Sequence, residues 1–281
     1  MKNDKLIDVE IKLLMEGIYQ VYGYDFRDYA EASLRRRLTQ WLIGSGFATL
    51  SLAQSRLLRE HALFDTLLRG ITVNVTEMFR DPAFFKTIRK QVVSHLKTYP
   101  FVKIWHAGCA TGEEAYSMAI LLLEEGLKGR FRIYATDINE EVIRKAQKGI
   151  YQLQDMQFFT KNYQHAGGKA SFSDYYTARY GHAILNPSLR ENIVFAAHNL
   201  AIDADFGEMN LILCRNVMIY FNQPLKERVL ELFDNSLTQG GFLCLGTKES
   251  LDQRLISDRY EEIHPRSRIY RKRYEKNSGG K

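Results

Sequence analysis

The feature that most constrains how this 281-residue chain can fold is the run Phe101-Val102-Lys103-Ile104-Trp105-His106-Ala107, which stops at the small-residue turn Gly108-Cys109-Ala110-Thr111-Gly112. The run is short, β-branched and aromatic, so it reads as a strand covered on both faces. Directly after the turn, Ala115, Met118, Ala119, Leu122 and Leu123 recur at helical spacing. Gly108 and Gly112 let the backbone come close to something lying across the turn. A strand, a tight turn and a helix in that order form the first unit of a nucleotide-type site in a doubly wound α/β sheet.

Two departures from the dinucleotide pattern narrow what lies there. The turn reads G-C-A-T-G-E-E and not G-x-G-x-x-G, so the tight pyrophosphate loop is missing. Glu113 and Glu114 also occupy the helix N-terminus, where two carboxylates repel a phosphate. A cofactor with a cationic end fits better, and S-adenosylmethionine, which carries an ammonium and a sulfonium, is such a molecule. A second strand, Phe131 to Thr136, ends at Asp137, which lies 25 residues beyond Gly112 and suits the two hydroxyls of a ribose. Alternatively, Glu113 and Glu114 only charge a helix start and Asp137 only caps the next helix. Each residue alone leaves that open; their order and spacing together favour the cofactor.

A content of 45% hydrophobic and 26% charged residues is that of an ordinary globular protein, and the length allows one α/β domain plus a small partner. No apolar run approaches the roughly 18 residues that span a membrane. Met1-Lys2-Asn3-Asp4-Lys5 leads into a charged amphipathic helix and not a signal segment, so neither membrane insertion nor export is expected. Cys109, Cys214 and Cys244 lie far apart in apolar runs, as reduced thiols of a cytoplasmic protein would. With no CxxC and no His/Cys cluster, no metal is expected. The net charge of +6, to which Arg271-Lys272-Arg273 contribute, permits nucleic-acid binding without demanding it, and no such partner is expected.

Residues 1–70 hold only helical patterns, with one stripe through Ile7, Ile11, Leu14, Ile18 and Val21 and a second through Leu34, Leu38, Trp41 and Leu42. A third runs through Leu52, Leu57, Leu58, Leu63, Phe64 and Leu67, and Gly23, Gly44 and Gly46 punctuate the series. This is a small all-helical N-terminal domain. Residues 71–100 form a linker and the first helix of the next domain, with Asp81 as N-cap and Pro82 at the first helical position. Residues 101–281 alternate strand and helix, with further strands at Ile193–Ala197, Met209–Cys214 and Gly241–Gly246. The interval 151–190, rich in Tyr and Phe, breaks the rhythm and reads as a small β-rich insertion. The tail Asn277–Lys281 reads as disordered.

Cys214-Arg215-Asn216-Val217-Met218-Ile219-Tyr220-Phe221 follows a buried strand, so its polar residues belong at the carboxyl edge of the sheet, where open α/β folds place ligands. There an arginine, an asparagine and a tyrosine can orient a substrate carboxylate and the cofactor. Asn199 and Leu200 follow the third strand in the same way, and an amide there can read an adenine edge. A set of turn and cap residues with one core tyrosine is the alternative.

Together with Asn74-x-Thr76-x-x-x-Arg80, Ala110-Thr111-Gly112-Glu113-Glu114-x-Tyr116-Ser117 and Ala135-Thr136-Asp137-Ile138, this string resembles the CheR-type chemotaxis receptor methyltransferases, and the resemblance runs over nearly the whole chain. It implies a Rossmann-like methyltransferase domain that transfers methyl from S-adenosylmethionine to glutamate side chains of chemoreceptor cytoplasmic helices, forming methyl esters and S-adenosylhomocysteine. It further implies that Asn74, Thr76, Arg80, Gly108, Glu114, Asp137, Asn199, Leu200, Arg215 and Asn216 line the cofactor site, and that Arg80 and Tyr220 face the methyl and the incoming carboxylate. In the family a basic helix docks on the receptor, matching Arg35, Arg36 and Arg37; a solvated charged face is the plainer reading of such a run. A monomer is expected. Some members grip a pentapeptide at the receptor C-terminus with the insertion, whose segment Tyr163 to Pro187 has its own loop lengths here. A cofactor-binding adaptor without catalysis is the alternative, and the presence of both Arg80 and Tyr220 speaks against it. A nucleic-acid methyltransferase lacks its aromatic stacking platform, and a nicotinamide oxidoreductase lacks its glycines.

Overall fold

The computed structural model describes residues 2–72, 76–252, 254 and 258–274. The expected tail and Asn74 lie outside them. The chain forms two compact units: residues 1–74, 198–204 and 219–230 in one, and 75–197, 205–218 and 231–281 in the other.

The first unit is built on α1 (Lys2–Tyr22), α2 (Glu31–Ser45), α3 (Leu50–Leu57) and α4 (His61–Ile71). Ile11, Leu14, Met15, Ile18, Leu34, Leu38 and Phe64 are buried, while Val21, expected in the first stripe, is exposed. The third expected stripe is two helices. Thr49 caps α3 by accepting the Leu52 N–H, and the chain turns at Leu58–Glu60 before α4, which leaves Leu52 exposed. Gly46, at φ +75°, ends α2. Glu10 is buried and accepts the Ser51 hydroxyl at 2.6 Å, tying α1 to α3. Tyr22 stacks on Phe64 with centroids 4.0 Å apart.

The second unit carries a seven-stranded sheet of order β6-β2-β1-β7-β8-β10-β9. Its strands are β1 (Val102–Ala107), β2 (Phe131–Asp137), β6 (Ile193–Ala197), β7 (Met209–Cys214), β8 (Leu237–Leu245), β9 (Tyr260–His264) and β10 (Ile269–Lys272). Neighbouring pairs from β6 to β8 are parallel, and β10 runs antiparallel to both β8 and β9. β8 starts four residues earlier than expected, because Leu237 already pairs with Met209. The expected list lacked β9 and β10: both are short and interrupted by charge, and Arg271 and Lys272 lie in β10. The chain leaves β1 toward β2 and β6 on one side, and continues to β7 and β8 on the other. The β1/β7 junction is therefore the switch point where open sheets form their crevice.

The helices of this unit include α5 (Pro82–Thr87), α6 (Val93–Leu96), α7 (Glu113–Glu124), α8 (Glu140–Lys148), α9 (Met156–His165), α10 (Pro187–Arg190) and the far end of α11 (Gln223–Ser236). The insertion is not purely β: its three-stranded antiparallel sheet, β3 (Ile150–Gln152), β5 (His182–Leu185) and β4 (Tyr176–Arg179), is accompanied by α9. Its aromatic residues were the β signal, yet Met156, Phe159 and Tyr163 recur at helical spacing and bury one face of α9. Glu124, its side chain 5% exposed, fastens the insertion to α7. It accepts the Tyr175 hydroxyl at 2.8 Å and the Lys169 N–H at 3.1 Å, and it also binds the Tyr163 hydroxyl and Arg89. Burial raises its pKa, but these donors outweigh burial and hold it below the usual carboxylate value. Glu124→Ala, which removes one of the two carboxylates on Arg89 and the acceptor of the Tyr175 hydroxyl and the Lys169 N–H, is expected to destabilise the protein by roughly 1–3 kcal/mol in urea unfolding.

Candidate active site

The turn after β1 is pinned to the end of β2. The Gly108 and Cys109 N–H groups both donate to the Thr136 carbonyl at 2.8 Å. Gly108 sits at φ +79°, and a side chain there would meet Val217 at 2.4 Å, so only glycine lets the turns after β1 and β7 approach this closely. Asp137 does not cap the next helix: Asn139 does, accepting the Glu141 N–H. Instead Asp137 accepts the Ala110 N–H at 2.9 Å and the Asn139 N–H at 3.0 Å, one on each carboxylate oxygen. Burial raises its pKa against those donors, and each oxygen keeps acceptor capacity for a further hydroxyl.

Glu114 and Arg215 meet in the crevice. Arg215, its side chain 2% exposed, donates at 2.5 Å to Glu114 and at 2.5 Å to Asp81, and its guanidinium lies 4.0 Å from the Phe84 ring centroid. His106 on β1 approaches Glu114 at 3.6 Å. Burial alone raises the Glu114 pKa, but Arg215 and His106 outweigh it and hold the group down to about 2. From the sequence Glu114 is an acidic residue at a helix start and an implied cofactor ligand; in the fold Arg215 pairs it. Asp81 departs from expectation as well. Pro82 does open α5, yet Asp81 adopts φ +56° and makes no side-chain cap, because its carboxylate is held by Arg215. With two carboxylates around one guanidinium, the cluster keeps a net negative charge and its preference for a cationic ligand end.

Arg80 lies between two anchors, Phe79 at φ +53° and Asp81 at φ +56°, both in the left-handed region that non-glycine residues avoid. The Phe79 N–H donates to Ser117 at 2.9 Å and its ring is buried, while the Arg80 carbonyl accepts from Arg215 at 3.4 Å. Among the described residues the half-buried Arg80 guanidinium has no hydrogen bond or ion pair. Thr76 lies half-buried four residues upstream. Asn216, at φ +62°, is set by Glu249, a buried carboxylate that accepts the N–H groups of Asn216, Val217 and Gly246 at 2.9, 3.0 and 2.6 Å. Glu249 carried no sequence signal, since Lys248-Glu249-Ser250 reads as any polar loop. His106 did carry one, an imidazole inside an apolar strand.

Three buried polar atoms here have no partner among the described residues: Arg215 Nε, Asn216 Oδ1 and His106 Nε2. An open donor on Arg215 and an open acceptor on Asn216 beside a net-negative cluster, with Asp137 at the second strand end, fit the carboxylate, ammonium and ribose of S-adenosylmethionine. The other expected residues fall in the helical unit. Asn199 closes a turn, accepting the Ala201 N–H at 3.0 Å and donating its own N–H to Asp203 at 2.8 Å, beside buried Leu200. Tyr220 lies there too, with Arg37 stacked at 5.0 Å from its ring centroid. The three arginines diverge: Arg35 pairs with Asp8 at 3.3 Å, Arg36 is exposed and Arg37 covers Tyr220. No group of three His, Cys, Asp or Glu side chains among the described residues could hold a metal ion, and no described helix is long and apolar enough to cross a membrane.

Residues 74–265 match the family described as CheR methyltransferase, SAM binding domain, and residues 10–72 match CheR methyltransferase, all-alpha domain. The chain belongs to the CheR methyltransferase family. This CheR-family chain is an S-adenosylmethionine-dependent methyltransferase. It is 50% identical to "Putative methyltransferase Cher3" of Pseudomonas putida, over 97% of this chain and all of the relative. It is also 28% identical to a chemotaxis protein methyltransferase of Listeria monocytogenes, over 82% of this chain and 85% of the relative. The corresponding Escherichia coli protein is 27% identical over 87% and 85%.

Glu113, beside Glu114 in the CheR-family turn, is buried with the Thr111 hydroxyl at 2.7 Å, and burial pushes its pKa up to about 7. A carboxyl whose folded pKa is raised contributes stability below its unfolded value near 4.5 and loses it as pH rises toward 7, here roughly 3 kcal/mol. Glu113→Gln is expected to flatten the fall in urea stability between pH 5 and pH 8. An unchanged slope would exclude Glu113 as its source.

Proposed function

We propose that this chain methylates glutamate side chains of chemoreceptor cytoplasmic helices in a chemotaxis or related signalling pathway, acting in the cytoplasm as a monomer. The observation that carries the reading is Arg80, a cation that has no counter-charge among the described residues and sits between two strained anchors beside the cofactor cluster. The relatives named as chemotaxis protein methyltransferases support it.

A glutamate substrate needs no general base, because its reference pKa of about 4.3 leaves it ionised at pH 7. When bound, S-adenosylmethionine supplies an electrophilic methyl group on a sulfonium. The residues of this chain then have to orient an anion and keep water away from it. Holding the carboxylate in line supplies on the order of 7–11 kcal/mol for a well-oriented pair. Arg80 grips the carboxylate through its forked donors. A tight ion pair blunts a nucleophile, so the role of Arg80 is to organise the site, and Tyr220 supplies the lighter orienting hydrogen bond. Glu114, Asp137, Arg215, Asn216, Thr76, Gly108, Asn74, Asn199 and Leu200 serve the cofactor. Of the basic run, Arg36 is the exposed member, and with Arg35 and Arg37 it offers charge to glutamate-rich receptor helices.

In a filter assay with methyl-labelled cofactor and a receptor cytoplasmic fragment, Arg80→Ala is expected to cut turnover on the order of 100-fold. Tyr220→Phe is expected to cut it less, and both should cut turnover more than cofactor affinity. Wild-type turnover in both would sink the assignment. Arg35→Glu with Arg36→Glu should weaken receptor methylation while cofactor binding persists; undiminished methylation at low salt would remove the docking role.

A further inference from the structure

We propose that Arg37 is a positioning residue that holds the Tyr220 ring, so that the basic helix contributes to turnover as well as to docking. The proposal rests on the reading that Tyr220 contacts the incoming carboxylate.

Tyr220 is built into the helical unit from two directions. Its carbonyl accepts the Ala30 N–H at 2.7 Å, and two residues on, the Asn222 N–H donates to the Asp28 carbonyl at 2.9 Å. The Asn222 side chain donates to the Asp28 carboxylate at 3.0 Å, and the rings of Tyr29 and Phe221 meet at 5.2 Å. Residues 28–30 and 220–222 thus form a short antiparallel ladder that fixes the tyrosine backbone. Residues 28–30 lead directly into α2, and Arg37, two turns along it, places its guanidinium 5.0 Å from the Tyr220 centroid. Ser33, one turn earlier, lies 3.5 Å from Arg37 Nε and steers the guanidinium plane. One element therefore fixes the backbone of Tyr220 and covers its ring.

Position in the run separates Arg37 from its neighbours. A helix of 3.6 residues per turn sends successive side chains about 100° apart, so three arginines in a row cannot all face one way. Arg35 turns to Asp8 on α1 and Arg36 turns to solvent. Arg37 presents a planar cation to a ring face, an arrangement that limits ring rotation and leaves the phenol oxygen free to donate.

The test is steady-state methylation of a receptor cytoplasmic fragment by the full chain, with fragment concentration varied for wild type, Arg37→Ala, Arg37→Gln, Tyr220→Phe and the double variant Arg37→Ala/Tyr220→Phe. Melting temperature and cofactor affinity report folding. Arg37→Ala and Arg37→Gln are expected to lower kcat on the order of 10-fold with KM near wild type. The double variant should turn over no more slowly than Tyr220→Phe, because Arg37 acts through the tyrosine. A raised KM with wild-type kcat, or losses that multiply in the double variant, would overturn the proposal and leave Arg37 a docking residue. Wild-type kcat in Tyr220→Phe would instead remove Tyr220 from the reaction, and this role of Arg37 with it.

Discussion

The Arg215 guanidinium is the charge around which the catalytic unit is arranged. A cation buried this deeply costs many kcal/mol unless its donors are matched. Glu114 from the start of α7 and Asp81 from the start of α5 match it, and the Phe84 ring covers its face. Those contacts join the end of β7 to both helices. They also explain why Asp81 abandons the capping role its position before Pro82 would give it, and why Phe79 and Asp81 accept left-handed backbone. The strain is local, and the buried Phe79 ring with the Arg215 pair over-determines the loop that carries Arg80.

Around that charge the strand ends are fastened by carboxylates that accept backbone amides. Asp137 takes the N–H groups of Ala110 and Asn139; Glu249 takes those of Asn216, Val217 and Gly246. Loop amides at a sheet edge have no ladder partner and must be satisfied somehow. One carboxylate offers several acceptors at once, so a single side chain can set two turns. Asp137 is therefore a structural clasp, and because each oxygen has two acceptor sites it keeps acceptor capacity beyond those two amides.

In the helical unit, the segment 219–230 packs with residues 1–74, although a linear reading assigns it to the sheet domain that surrounds it in the chain. The hydrogen bonds that decide this, Ala30 to Tyr220 and Asn222 to Asp28, join residues about 190 positions apart. Nothing in the local pattern of Met218-Ile219-Tyr220-Phe221 announces them.

How much was legible follows from the range of the forces involved. Apolar periodicity and glycine placement act over a few residues. The strands at Phe131–Thr136, Ile193–Ala197 and Met209–Cys214, the turn at Gly108–Gly112 and the family could therefore be read from the sequence alone. Helix breaks decided by one cap, as at Thr49, and short charged strands such as β10 could not, because their stability comes from a neighbour. The same holds for the charges. The residue types at Glu114, Arg215 and Asp81 were visible, but an ion pair is set by distance in space, across 101 and 134 positions of chain. Sequence alone determined the fold class, the family and the cofactor. Only the tertiary structure decided which carboxylates were already paired, that Glu249 mattered, and that three consecutive arginines have three different surroundings. Burial and pairing are properties of positions brought together by folding, and no local pattern encodes them.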